Sequence, residues 1–137
     1  MTSFPLTRSL GELIAAPPPV HETVASRASA TFLDTIGVML AGFGEASVLA
    51  LARTLPKAGY RPDGPVADAL LSATASHALD YDDVGFGGHQ SAVLVPTILA
   101  MARSIDGLAG SDLIRAYALG HEIWAELATR EKTLAHA

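Results

Sequence analysis

The sequence predicts an all-α protein, a helical bundle of about six helices in a single domain spanning residues 1–137. Three observations predict it. Long Ala/Leu-rich segments place apolar residues three and four positions apart, the spacing of one helix face. No segment shows the alternation of a half-buried strand, and no fixed-period repeat or low-complexity run appears. A length of 137 residues suits one domain with a genuine core.

Each element follows from local chemistry. Residues 4–16 carry Leu6, Leu10, Leu13 and Ile14 at helical spacing and are stopped by Pro17, Pro18 and Pro19. A second helix is expected over 21–41, with Val24, Ala28, Phe32, Ile36, Met39 and Leu40 as its apolar stripe and Gly42 as its C-terminal stop. Asp34 and Thr35 interrupt that stripe, and Gly37 inside it implies close packing by another helix, since glycine there costs up to about 1 kcal/mol against alanine. A third helix is expected over 45–55. The stretch 56–65, with its prolines and glycines, reads as a surface loop, in which Lys57 and Arg61 offer cations. A fourth helix of small residues is expected over 66–82. Ser91 can cap a fifth over 92–105, with Pro96 near its first turn, and this apolar helix should be the most buried. Ser111 can cap the sixth, 112–130, whose face comprises Leu113, Tyr117, Gly120, Trp124 and Leu127, flanked by His121 and Glu122 as boundary polar groups.

Composition bounds the function. The chain is 50% hydrophobic and 17% charged, with a mean hydropathy of +0.33, which predicts wide buried faces or a large partner surface. A net charge of −5, with nine Lys and Arg in no patch, argues against nucleic acid. Without cysteine there are no disulfides and no thiolate metal sites. Every apolar run is broken before about 18 residues, so no membrane span is expected. The N-terminus lacks the basic start and apolar core of a signal peptide, and the expected compartment is cytoplasmic.

One stretch gathers the chemistry: residues 76–91, S-H-A-L-D-Y-D-D-V-G-F-G-G-H-Q-S. If the fourth helix reaches Asp82, then His77, Asp80 and Asp83 share one of its sides, with Tyr81 one turn from His77. Carboxylates in the last turn oppose the helix dipole and repel each other. Gly85, Gly87 and Gly88 then allow a tight turn that brings His89 back toward them, a pairing suited to acid/base work. The same residues also fit a solvated helix end with a half-buried histidine, and spacing alone does not choose between the two. The cluster matches no standard zinc or EF-hand pattern, and neither a phosphate-binding glycine loop nor GxSxG is present.

The runs H-A-L-D-Y-D-D at 77–83 and G-H-Q-S-A-V-L-V-P at 88–96 resemble the MmgE/PrpD family. So do F-L-D-T-I-G-V-M-L-A-G at 32–42 and G-S-D-L-I-R-A-Y-A-L-G-H-E-I at 110–123, in the family's order. The family includes 2-methylcitrate dehydratase, cis-aconitate decarboxylase and an iminodisuccinate epimerase. The resemblance implies a lyase acting on small di- or tricarboxylates by proton abstraction, with loss of water or carbon dioxide, and with no metal or organic cofactor. It assigns Asp80 and His89 as catalytic, His89 being the acid/base or carboxylate-binding group and Asp80 its partner. His77, Tyr81 and Asp83 would support them and contact substrate, with Gln90 and Ser91 beside them. Gln90 stands where relatives have proline, and Val84 where some have threonine. Relatives are much longer, with further helices, a second α+β domain and later histidines and lysines of the site; Lys132 is the only late lysine here. The expectation is therefore the N-terminal part of the helical domain, with half an active site, a homodimer or a partner chain. A catalytically silent helical module and a carboxylate-binding protein without turnover are the competing readings.

Overall fold

The computed structural model describes residues 6–135, and side chains through residue 130. Six α-helices follow one another: α1 (Leu6–Ala15), α2 (Glu22–Gly42), α3 (Ala46–Thr54), α4 (Pro65–His77), α5 (Gln90–Ala102) and α6 (Gly110–Ala135). A single 3-10 turn, Leu55–Ala58, extends α3, so the first part of the expected surface loop is ordered helix. The described residues contain no strand, only one isolated bridge between Gly85 and Gly88. The all-α bundle is what the hydrophobic period requires. Residues 4 and 5 and the Lys132 side chain lie outside what is described.

The core forms where α2, α4, α5 and α6 pack against one another. One cluster joins Ala28 and Phe32 of α2 to Val95 of α5 and Tyr117 of α6. A second joins Met39, Val48 and Ala75, and Ile36 and Leu99 touch both. Each large apolar side chain fully buried in this way stabilises by about 1.5–3 kcal/mol. As expected, α5 is heavily buried, with Val95 and Pro96 inaccessible. Its outer face is nevertheless open at Val93 and Met101.

Several local expectations are corrected. Thr35, which breaks the α2 stripe, is buried, because its hydroxyl donates to the Thr31 carbonyl one turn back at 2.8 Å and needs no water. Leu40 and Val24, assigned to that stripe, are exposed instead. The close approach falls at Gly42, where a Cβ would lie 2.1 Å from the Ala75 carbonyl oxygen, whereas one at Gly37 would meet nothing within 4 Å. Ser111 does not cap α6. Asp112 does that work, its carboxylate accepting from the Ala109 N–H at 2.9 Å while its own N–H donates to the Ala109 carbonyl. Arg61 is taken up by Asp63 at 2.9 Å. No single helix among the described residues is long and apolar enough to cross a membrane.

Candidate functional site

The site lies in the connection from α4 to α5, residues 78–89. The fourth helix stops at His77, five residues short of the expected end. Ala78 and Asp80 close it with turn hydrogen bonds, and Asp80 takes a left-handed backbone at φ 54°. Aspartate tolerates that region better than most residues, though not without cost. The helical register that would align His77, Asp80 and Asp83 therefore does not exist. Asp80 and Asp82 stay near the two histidines, while Asp83 turns away to Ser91.

The glycines act as expected. Gly85 and Gly88 exchange backbone hydrogen bonds at 2.9 Å, and Gly87 has φ 76°. Gly88 also lets the loop lie against α6, since a Cβ there would be 2.8 Å from Trp124 Cζ2. Phe86 sits edge-on to the His121 ring at 5.6 Å, a second contact between loop and α6. His89 is brought back as the N-cap residue of α5.

What it meets is Asp82. His89 Nδ1 lies 2.9 Å from Asp82 Oδ2, and His77 Nδ1 lies 3.0 Å from Asp82 Oδ1. The Asp82 side chain is 0% exposed, against 53% for His77 and 31% for His89. The two rings stand 4.4 Å apart, centre to centre. Asp80, expected to be the partner of His89, makes no hydrogen bond to it, but its carboxylate joins the group. One ligating atom from each of His77, Asp80, Asp82 and His89 lies within 4.8 Å of the others. That donor set of two imidazoles and two carboxylates could hold a divalent ion.

The remaining expected residues divide. Asp83 turns inward and accepts from the Ser91 hydroxyl at 2.7 Å. Ser91 is not a cap. It is buried inside α5 and also lies 2.8 Å from the Tyr117 hydroxyl of α6. Its one proton goes to the acceptor-only carboxylate, so Tyr117 must donate to it. Burial pushes the Tyr117 phenol above its ordinary range, reinforced by nearby Asp83, while hydrogen bonds with Ser91 and Thr31 pull the other way. Gln90 is fully buried, its side-chain amide donating to the Gly85 carbonyl across the loop. In the position where relatives carry proline, this chain thus has a tie that closes the glycine turn. The Gln90 Oε1 and Asp83 Oδ1 atoms are buried without partners. Tyr81 is 74% exposed at the loop surface.

Sequence reasoning missed Asp82 and Tyr117. Asp82 was legible only as one of three acids in D-Y-D-D. Tyr117 was placed on the buried face of α6, but nothing local links it to Ser91, which precedes it by 26 positions. Among the described residues no lysine or arginine is ion-paired with Asp80, Asp82 or Asp83.

Compared with known proteins, residues 10–136 match the model of the MmgE/PrpD N-terminal domain. No curated protein and no solved structure matches the chain.

Proposed function

Since the chain belongs to the MmgE/PrpD family through its N-terminal domain, we propose that it carries the acid/base side of a lyase site for small di- or tricarboxylates. The observation that supports this reading is the pair of imidazoles held on one buried carboxylate at the mouth of a glycine loop. An imidazole of that kind removes a proton from carbon beside a substrate carboxylate. The electrons left on carbon then expel a hydroxyl group, which leaves as water on receiving a proton. In a decarboxylation, loss of carbon dioxide leaves the carbanion, which the imidazolium reprotonates. His89 is the better placed base, being anchored at the start of α5, and His77 supports it. Asp80 stands beside both.

A polyanionic substrate entering beside three aspartates needs cations. A second chain would supply them. Exposed apolar residues favour such a partner: Leu33 and Leu40 on α2 are 71% and 65% exposed, and Val84 in the loop is 72% exposed. An apolar groove of about 750 Å³, lined by Phe32, Leu33, Ile36, Leu113 and Ile114 among others, lies between α2 and α6. A homodimer is the expected state, and a monomer by light scattering at micromolar concentration would count against it. The same apolar surface favours the second reading, a self-associating helical module without turnover.

Ligand binding separates the two. A carboxylate at 100 times its Kd stabilises the folded state by about 2.7 kcal/mol, which raises Tm by roughly 10 °C for a chain of this size. The expected result is such a rise with millimolar 2-methylcitrate or cis-aconitate, absent in His89→Ala. Asp80→Gly should remove the response while leaving stability unchanged or raising it by up to about 1 kcal/mol, because glycine relieves the left-handed backbone. A melt indifferent to every acid would refute the lyase reading for this chain.

A further inference from the structure

We infer that Asp82 is a positioning residue that holds His77 and His89 in the same tautomer, protonated at Nδ1, so that both imidazoles keep Nε2 as their free proton acceptor. What those bases act on rests on the lyase reading above; their tautomeric state does not. The argument is one of donors and acceptors. An ionised carboxylate can only accept, and each neutral imidazole has one N–H and one lone pair. Asp82 meets Nδ1 of both rings, at 3.0 Å and 3.2 Å for His77 and at 2.9 Å for His89. Both of those nitrogens must therefore carry the hydrogen.

Burial makes the constraint strict. The Asp82 side chain is wholly inaccessible, so water cannot replace either donor. No lysine or arginine among the described residues is paired with it, and the two imidazole N–H groups are its side-chain hydrogen-bond donors there. An unpaired buried carboxylate is costly, and one satisfied by two N–H groups is not. Asp80 and Asp83 cannot do this work. Asp80 forms no hydrogen bond to either ring, and Asp83 is committed to Ser91.

The consequence for reactivity is specific. A ring that takes up a proton at Nε2 keeps its bond to Asp82 throughout, so the base neither rotates nor changes partner during transfer. Two such bases on one anion form a matched pair, where a lone aspartate–histidine dyad would offer one.

The test is the nitrogen-15 spectrum of the imidazoles in the whole chain, with chelator present, well above the ordinary imidazole titration range. His77 and His89 are assigned by loss of signals in His77→Gln and His89→Gln. Both rings are expected as Nδ1–H tautomers in the wild type, and finding either as Nε2–H overturns the inference without reference to any variant. Asp82→Ala extends the test. It removes the acceptor common to both Nδ1–H groups, so the rings of the folded variant should lose their shared preference and show Nε2–H signals. Two unchanged Nδ1–H rings in a folded Asp82→Ala protein would also overturn it. A chain that shows the expected tautomers but ignores every carboxylate would remove the lyase reading and leave this one standing.

Discussion

Gly42→Ala is expected to destabilise the protein by about 3 kcal/mol, lowering Tm by roughly 10 °C. The added Cβ would lie 2.1 Å from the Ala75 carbonyl oxygen and 3.0 Å from its carbonyl carbon. Those are backbone atoms of α4, so no side-chain rotation can make room. The two helices must separate, and the Met39, Val48 and Ala75 cluster beside the contact opens with them. Gly37→Ala, on the same helix, should have the opposite sign. Nothing lies within 4 Å of its Cβ, and alanine in a helix gains up to about 1 kcal/mol over glycine. Urea melts of the two variants side by side decide the matter. Equal losses would show that α2 and α4 do not meet at Gly42.

The second large effect is expected at Ser91. Ser91→Ala should cost about 2 kcal/mol, because it leaves a buried phenol and a carboxylate oxygen without their common partner. Tyr117→Phe should cost less, about 1 kcal/mol, since Ser91 keeps its bond to Asp83. The double variant should lose less than the sum, the coupling of residues in one hydrogen-bonded chain. Additive losses would mean that the Tyr117–Ser91–Asp83 chain does not act as a unit. The network also predicts a pH dependence. The folded-state pKa of Tyr117 is raised above its unfolded value, so the stabilisation is intact below about pH 10 and is lost as the pH climbs beyond it. The informative quantity is the difference between wild type and Tyr117→Phe, which isolates this one phenol. That difference should shrink as alkalinity increases.

Much of the fold was legible because helix formation is local. The recurrence of Leu6, Leu10 and Leu13, or of Ala28, Phe32 and Met39, marks a helix whatever it packs against, and the proline run at 17–19 ends one for reasons of covalent geometry. The candidate site was legible as a stretch: two histidines, clustered acids and a glycine turn that returns the chain. Its internal pairing was not. The expected helix to Asp82 assumed that small residues with helical propensity would continue, whereas the chain leaves the helix after His77 and turns left-handed at Asp80. Once the register is broken, which of three aspartates faces inward is no longer a property of spacing.

The sequence by itself determined the class, the number and order of helices, and the resemblance that the family match bears out, because these depend on period, turn chemistry and residue identity read within a few positions. Only the tertiary structure decided that Asp82 and not Asp80 holds His89, that Gly42 and not Gly37 is the close approach, and that Ser91 ties Asp83 to Tyr117. Each of these depends on which second element covers a given face. A hydrophobic period states that a face will be covered, but the atom that covers it comes from a segment remote in the chain.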